Sequence, residues 1–127
     1  MFIRNLNECK EIIAIDGTIL RELINPLYED TELHLGYSIA HTKVPPRKAS
    51  FLHRLTKASE VHYFLKRTGV MYVDDESYKV STGSLVYVPP KTIQYLENTG
   101  EQDVVFLCIV DPYWRPEEEE LMEYYHY

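Results

Sequence analysis

HRLTKASE (residues 53–60) and GSLVYVPPKTIQYLEN (residues 83–98) are the two stretches whose reading decides the fold of this chain. Each places polar side chains among β-branched and aromatic neighbours, the composition of a half-buried strand. Side chains alternate along a strand, so Glu60, His62 and Phe64 share one face, as do His53 and Leu55, and Thr92, Gln94 and Leu96. With those faces turned inward, His53, Glu60, His62 and Gln94 converge on one point. Around them lie further short runs, SFLHRL, SEVHYFLKR, GVMYVDD, ESYKVS, SLVYVP and DVVFLCIVD, separated by turn residues at close intervals. None has a 3.6-residue apolar stripe, so the spacing predicts an antiparallel all-β sandwich or barrel. Asp74 with Asp75, and Asn98 with Thr99 and Gly100, supply hairpin turns.

Outward from this core, residues 10–24 read as a hairpin about the Asp16, Gly17 turn, closed by Asn25 and Pro26. Residues 33–44 read as a longer strand that begins a barrel core over residues 33–112. His34 and His41 stand at odd spacing on it, which points them to opposite faces as surface or edge histidines. At the end, Pro116 followed by four glutamates predicts a short α-helix over residues 116–124, the acidic run being its solvated first turn. Trp114, Leu121 and Met122 would give that helix one apolar stripe.

The 127 residues form one domain, 1–127, large enough to bury a core without staples. A net charge of -7 argues against nucleic acid and anionic lipid as partners. No apolar run approaches the ~20 residues of a membrane-spanning helix, and a cytoplasmic location is expected. Cys9 and Cys108 have no metal-ligand spacing, and both read as inert free thiols. Eleven tyrosines suit a partner surface, and a homodimer is expected because the tyrosine-rich, apolar strands would otherwise leave exposed edges.

Imidazoles and a carboxylate at a barrel mouth suit a divalent ion such as Zn, Mn, Fe or Ni, with His53, Glu60, His62 and Gln94 as metal donors. Each also has a plainer reading: His53 and Glu60 as a buried hydrogen-bonded pair, His62 as a structural histidine, Gln94 as a partner for backbone. The two stretches resemble the paired motifs of the cupin superfamily. In the first motif, glycine, five residues, His-x-His, four residues, Glu, six residues and glycine, His53 and Glu60 match and Leu55 replaces the second histidine. In the second, Gly83, Pro89 and Asn98 match in register, with Gln94 at the histidine position. Three motif glycines are replaced by Arg47, Arg67 and Lys91, and the turns there are expected to differ locally. These basic residues serve either as solubilising charge or as contacts for an anion at the rim.

The resemblance implies an antiparallel double-stranded β-helix, or jelly roll, with a ligand pocket at His53, Leu55, Glu60, His62 and Gln94. It implies a small-molecule binder, with an isomerase, lyase, decarboxylase or dioxygenase acting on a sugar or organic acid as the enzymatic form. The alternative is a non-catalytic, metal-free ligand-binding or structural dimeric cupin, with Leu55 and Gln94 as the signs of a lost metal.

Overall fold

The structure is a computed structural model that describes residues 2–122. Among these residues eleven strands form: β1 (Glu11–Ile13), β2 (Ile19–Ile24), β3 (Ser38–Val44), β4 (His53–Leu55), β5 (Ser59–Lys66) and β6 (Gly69–Val73). They continue as β7 (Glu76–Val80), β8 (Leu85–Val88), β9 (Gln94–Glu97), β10 (Val104–Asp111) and β11 (Glu119–Leu121). A six-stranded sheet runs β1-β2-β3-β10-β5-β8, and a five-stranded sheet runs β11-β4-β9-β6-β7. All the ladders are antiparallel. No helix among the described residues is long and apolar enough to cross a membrane.

Alternation decides which face of each strand is buried. Ser38, Ala40, Thr42 and Val44 of β3 are buried while Ile39, His41 and Lys43 are less so, and Glu60, His62 and Phe64 of β5 follow the same rule. One end of the sandwich is filled by Val44, Phe64, Met71, Val80, Val88, Leu96, Val104 and Phe106. The other end holds only a small cluster of Leu55, Ala58 and Val110. Polar inward residues gather between the two clusters, because the apolar filling is complete on one side and sparse on the other.

Three expectations need correction. The strand expected over residues 33–44 begins only at Ser38. The α-helix expected over 116–124 does not form: Pro116–Glu118 is a single 3₁₀ turn, and β11 then pairs with β4. Positions 123 and 124 of that expectation lie outside the described residues. The acidic run favours a first helical turn only, and the open edge of β4 offers backbone partners to the residues that follow it. Thr56 N donates to the Glu118 carbonyl at 3.0 Å, and Met122 N donates to that of Leu52 at 2.8 Å. The glutamates are therefore not a solvated helix face, since Glu118 is buried and Glu119 is drawn inward.

The third correction concerns the replaced glycines. Arg47, Arg67 and Lys91 adopt φ of 58°, 71° and 69°, the left-handed conformation that glycine adopts without strain. The turns are thus conserved in shape although their residues are not glycine. Neighbouring contacts hold them: Lys91 N donates to the Leu55 carbonyl at 2.7 Å, and Arg47 pairs with Glu101. Gly83, at φ 90°, keeps the glycine that its turn favours.

Candidate functional site

Between the sheets lies a cavity of about 170 Å³. The β1–β2 hairpin covers it, contributing Ile12, Asp16, Leu20 and Glu22 to its wall. His53, Glu60, His62 and Gln94 all line it, as alternation required. Leu55 does not; it packs in the small apolar cluster with Ala58 and Val110, beside Cys108 and Trp114. His53 and Gln94 stand opposite each other across β4 and β9, so the five-stranded sheet supplies one wall. On the other wall, Cys108 of β10 stands opposite His62 of β5.

On that second wall Glu60, His62 and Cys108 form a compact group, with their donor atoms all within 4.8 Å of one another. His62 Nε2 lies 2.6 Å from Glu60 Oε2, and the Cys108 thiol donates to the same oxygen at 3.4 Å. Burial alone would raise the Glu60 carboxyl, but the hydrogen bond and charge of His62, with His53 behind, pull it down to about 2. Burial, and then the Glu60 charge, push the Cys108 thiol well above its ordinary range. His62 Nδ1 is buried with no hydrogen-bond partner among the described residues.

His53 is tied differently. Its Nδ1 lies 2.7 Å from the Phe51 carbonyl, which only accepts, so Nδ1 carries a proton. Its Nε2 is left facing Asp16 Oδ2 at 3.5 Å. Burial lowers the His53 pKa, but the charges of Asp16 and Glu60 outweigh it and hold the imidazole above its ordinary value. Asp16 is oriented by an Asx turn in which Thr18 N and Oγ1 both donate to Oδ1, at 3.1 and 2.6 Å. Glu119 Oε1 accepts from Trp114 Nε1 at 2.8 Å. Burial raises both Glu119 and Glu22 to about 7, the charge of Asp16 adding to the effect at Glu119.

The motif asparagine has a structural task. Asn98 Nδ2 donates to the carbonyls of Val44 and Gln102, and its Oδ1 accepts from Gly100 N, which ties off the loop before β10. The sequence reading missed three site residues. Cys108 was within reach, because Phe106, Cys108 and Val110 alternate as Glu60 and His62 do. Asp16 and Glu119 carried no local signal, since each reaches the cavity through a tertiary arrangement of its segment.

An antiparallel jelly-roll barrel whose largely apolar cavity carries a few polar side chains between its sheets defines a class, and comparison with known proteins identifies the family. Residues 40–110 match the cupin domain model, and the chain belongs to the cupin family. An uncharacterized protein of Methanocaldococcus jannaschii is 33% identical over 118 residues, 92% of this chain and 91% of that protein. The oxalate-binding protein of Thermotoga maritima is 27% identical over 71 residues, 56% of this chain and 59% of that one. Among solved structures, a predicted oxalate decarboxylase of Thermotoga maritima superposes with a TM-score of 0.74 at 20% identity, covering 87% of this chain and 99% of its own. Pac13, a nucleoside dehydratase, gives a TM-score of 0.73 at 17% identity over 96% of this chain and 91% of its own. A variant of Pac13 from Streptomyces is also known with uridine. At such identities these likenesses are of fold.

Proposed function

We propose that this chain is a small-molecule-binding cupin that holds a divalent metal between Glu60, His62 and Cys108, with a ligand of the sugar or organic-acid type meeting it in the cavity. The observation that carries this reading is the clustering of a carboxylate, an imidazole and a thiol on two paired strands, all facing one cavity. Three donors of mixed O, N and S character with one open position fit a tetrahedral ion of the zinc kind. A tetrahedral ion needs its donors about 3.5 Å apart; the Cys108 contact stands at 3.4 Å, the 2.6 Å His62 contact must open by about 0.9 Å, and His62 and Cys108 lie within 4.8 Å. A soft thiol favours zinc over manganese. His53, expected among the donors, is bound to the Phe51 carbonyl through Nδ1 and faces Asp16 across 3.5 Å on the opposite wall.

Bound there, the ion would supply a Lewis acid for a hydroxyl or carbonyl oxygen. Within the chain, Glu60 Oε2 receives the His62 Nε2 hydrogen bond and keeps its negative charge available. The β1–β2 hairpin supplies part of the wall around it. A second reading, a metal-free pocket, is supported by that same bond, which satisfies Glu60 without an ion.

Cobalt(II) titration of EDTA-treated protein separates the two. The expected result is stoichiometric uptake with a thiolate charge-transfer band that Cys108→Ser removes and His53→Ala leaves in place. No uptake, or uptake lost in His53→Ala and kept in Cys108→Ser, would refute this donor set.

A further inference from the structure

The wall opposite the proposed metal donors has a character that neither the family nor the relatives' names assign. Among the described residues the cavity is lined by four carboxylates, Asp16, Glu22, Glu60 and Glu119, and by no lysine or arginine. The imidazoles of His53 and His62 already face carboxylates, at 3.5 and 2.6 Å. Away from the proposed ion, a carboxylate meeting this wall would find no uncommitted cationic side chain, and burying an unpaired charge is strongly unfavourable.

Spare acceptors, in contrast, are concentrated on one side. Asp16 Oδ1 is used by Thr18, while Oδ2 faces His53 at a separation too long for a strong hydrogen bond. Glu119 Oε1 is used by Trp114, while Oε2 is buried with no partner among the described residues. Gln94 is 1% exposed, lines the same cavity, and its Oε1 likewise has no donor among the described residues. Strand pairing places Gln94 opposite His53 and Glu119 opposite Leu55 of the same short strand, and Asp16 reaches the cavity from the β1–β2 turn. Asp16 Oδ2, Glu119 Oε2 and Gln94 Oε1, all on residues that line the one cavity, are acceptors for the three donors of an ammonium group. Ile12, Leu20, Phe106 and Val110 supply an apolar remainder, in a volume similar to cavities that hold one benzene-sized molecule.

We infer that the ligand carries a cationic amine on a compact apolar body, held against the wall of Asp16, Glu119 and Gln94, and that this wall rejects carboxylates. This rests on the reading of the cavity as a small-molecule site and narrows its ligand class. Any sugar or organic acid that fits would have to bear an amine at this end.

Cyclohexylamine, cyclohexanol and cyclohexanecarboxylate share one ring and differ in the group the wall would meet. Trp114, the single tryptophan, bonds Glu119 directly and makes its emission the reporter. On EDTA-treated protein at pH 8.5, where Glu119 is ionised, saturable response to the amine is expected, with the alcohol at least about tenfold weaker and the carboxylate silent. Glu119→Gln and Asp16→Asn should each weaken amine binding about tenfold, the worth of one charge-assisted hydrogen bond, with melting curves that show both variants folded. Equal or tighter binding of the carboxylate overturns the inference, as does parental amine affinity in both variants. Silence toward all three probes while cobalt still binds overturns the amine wall and leaves the metal centre standing. Amine binding without cobalt uptake supports the wall and removes the metal.

Discussion

Glu22 and Glu119 should make this protein more stable in mild acid than in mild alkali. Burial raises both from an ordinary 4.5 to about 7. Above pH 7 both folded and unfolded chains carry the charges, and the fold bears the full desolvation penalty. Between 7 and 4.5 only the folded chain takes up the protons, so stability rises as pH falls through that window. At 1.36 kcal/mol per pKa unit each group would contribute about 3 kcal/mol, and halving this for partial solvent access leaves about 3 kcal/mol for the pair. His53, raised above its ordinary 6.5, acts in the same direction, its contribution being present below that value and lost above its folded pKa. Glu60 acts oppositely. Lowered from 4.5 to about 2, it stabilises the fold above 4.5, and that stability is lost as pH falls toward 2. The maximum should therefore lie near pH 5. For a chain of this length ~1 kcal/mol moves Tm by about 4 °C, so Tm at pH 5 should exceed that at pH 8.5 by about 10 °C. Calorimetry of EDTA-treated protein from pH 3.5 to 9 measures it, and Glu22→Gln with Glu119→Gln should flatten the alkaline limb. A Tm that is flat or highest near pH 8 would refute the reasoning, as would a double variant whose alkaline limb matches the parent.

Arg67→Gly and Lys91→Gly should each raise Tm by about 2 °C, because relief of a left-handed non-glycine residue is worth ~1 kcal/mol and the added freedom of the unfolded chain offsets about half. A lower Tm in both would mean that their side-chain contacts outweigh the strain. Cross-strand neighbours on the outer face of the six-stranded sheet, Tyr63 with Leu85 and Val61 with Tyr87, join Leu107 and Ile109 in an apolar band, and Leu85 and Tyr87 are 62% and 58% exposed. Two copies should pair through it: light scattering should give a dimeric mass and Leu85→Lys with Tyr87→Lys a monomeric one, whereas a monomeric parent would refute the pairing.

Alternation made the barrel and four cavity residues legible. His53, Glu60, His62 and Gln94 could be placed because inward positions recur every second residue and polar side chains at such positions stand out. The same rule would have placed Cys108, which was hidden by its chemistry: in VVFLCIV a thiol reads as a small hydrophobe. Asp16 and Glu119 were illegible for a different reason. A hairpin turn shows its local Asx geometry but not the surface it will cover, and a glutamate run shows its charge but not the β4 edge that draws it into a strand. The glycine positions failed in another way, since Arg47, Arg67 and Lys91 have backbone conformations set by the ladders they join, and the sequence shows only the residue that bears the strain.

The departures from the family motif are consistent with one another. With Leu55 in place of the second histidine, the β4 wall lacks a donor where one is expected, and Leu55 sinks into apolar packing with Ala58 and Val110. His53 is then held through Nδ1 on the Phe51 carbonyl at 2.7 Å, while Nε2 faces Asp16 across 3.5 Å. Gln94, at the other histidine position, adds an acceptor to the same wall rather than a strong metal donor. Across the cavity, Glu60 keeps its motif place, and His62 and Cys108 join it from inward positions that the motif does not use. On this reading the two sheets have divided the work: β5 and β10 gather the donors for a cation, while β4, β9 and β11 with the hairpin turn gather acceptors. Restoring the motif histidine separates this division from simple loss of a site. Leu55→His places an imidazole in an apolar cluster beside Cys108 and not on the cavity wall, so it should lower Tm without tightening zinc binding. If Leu55→His instead tightens zinc binding by tenfold or more, about 1.4 kcal/mol, and the gain survives Cys108→Ser, the β4 wall is the metal site and the division proposed here is wrong.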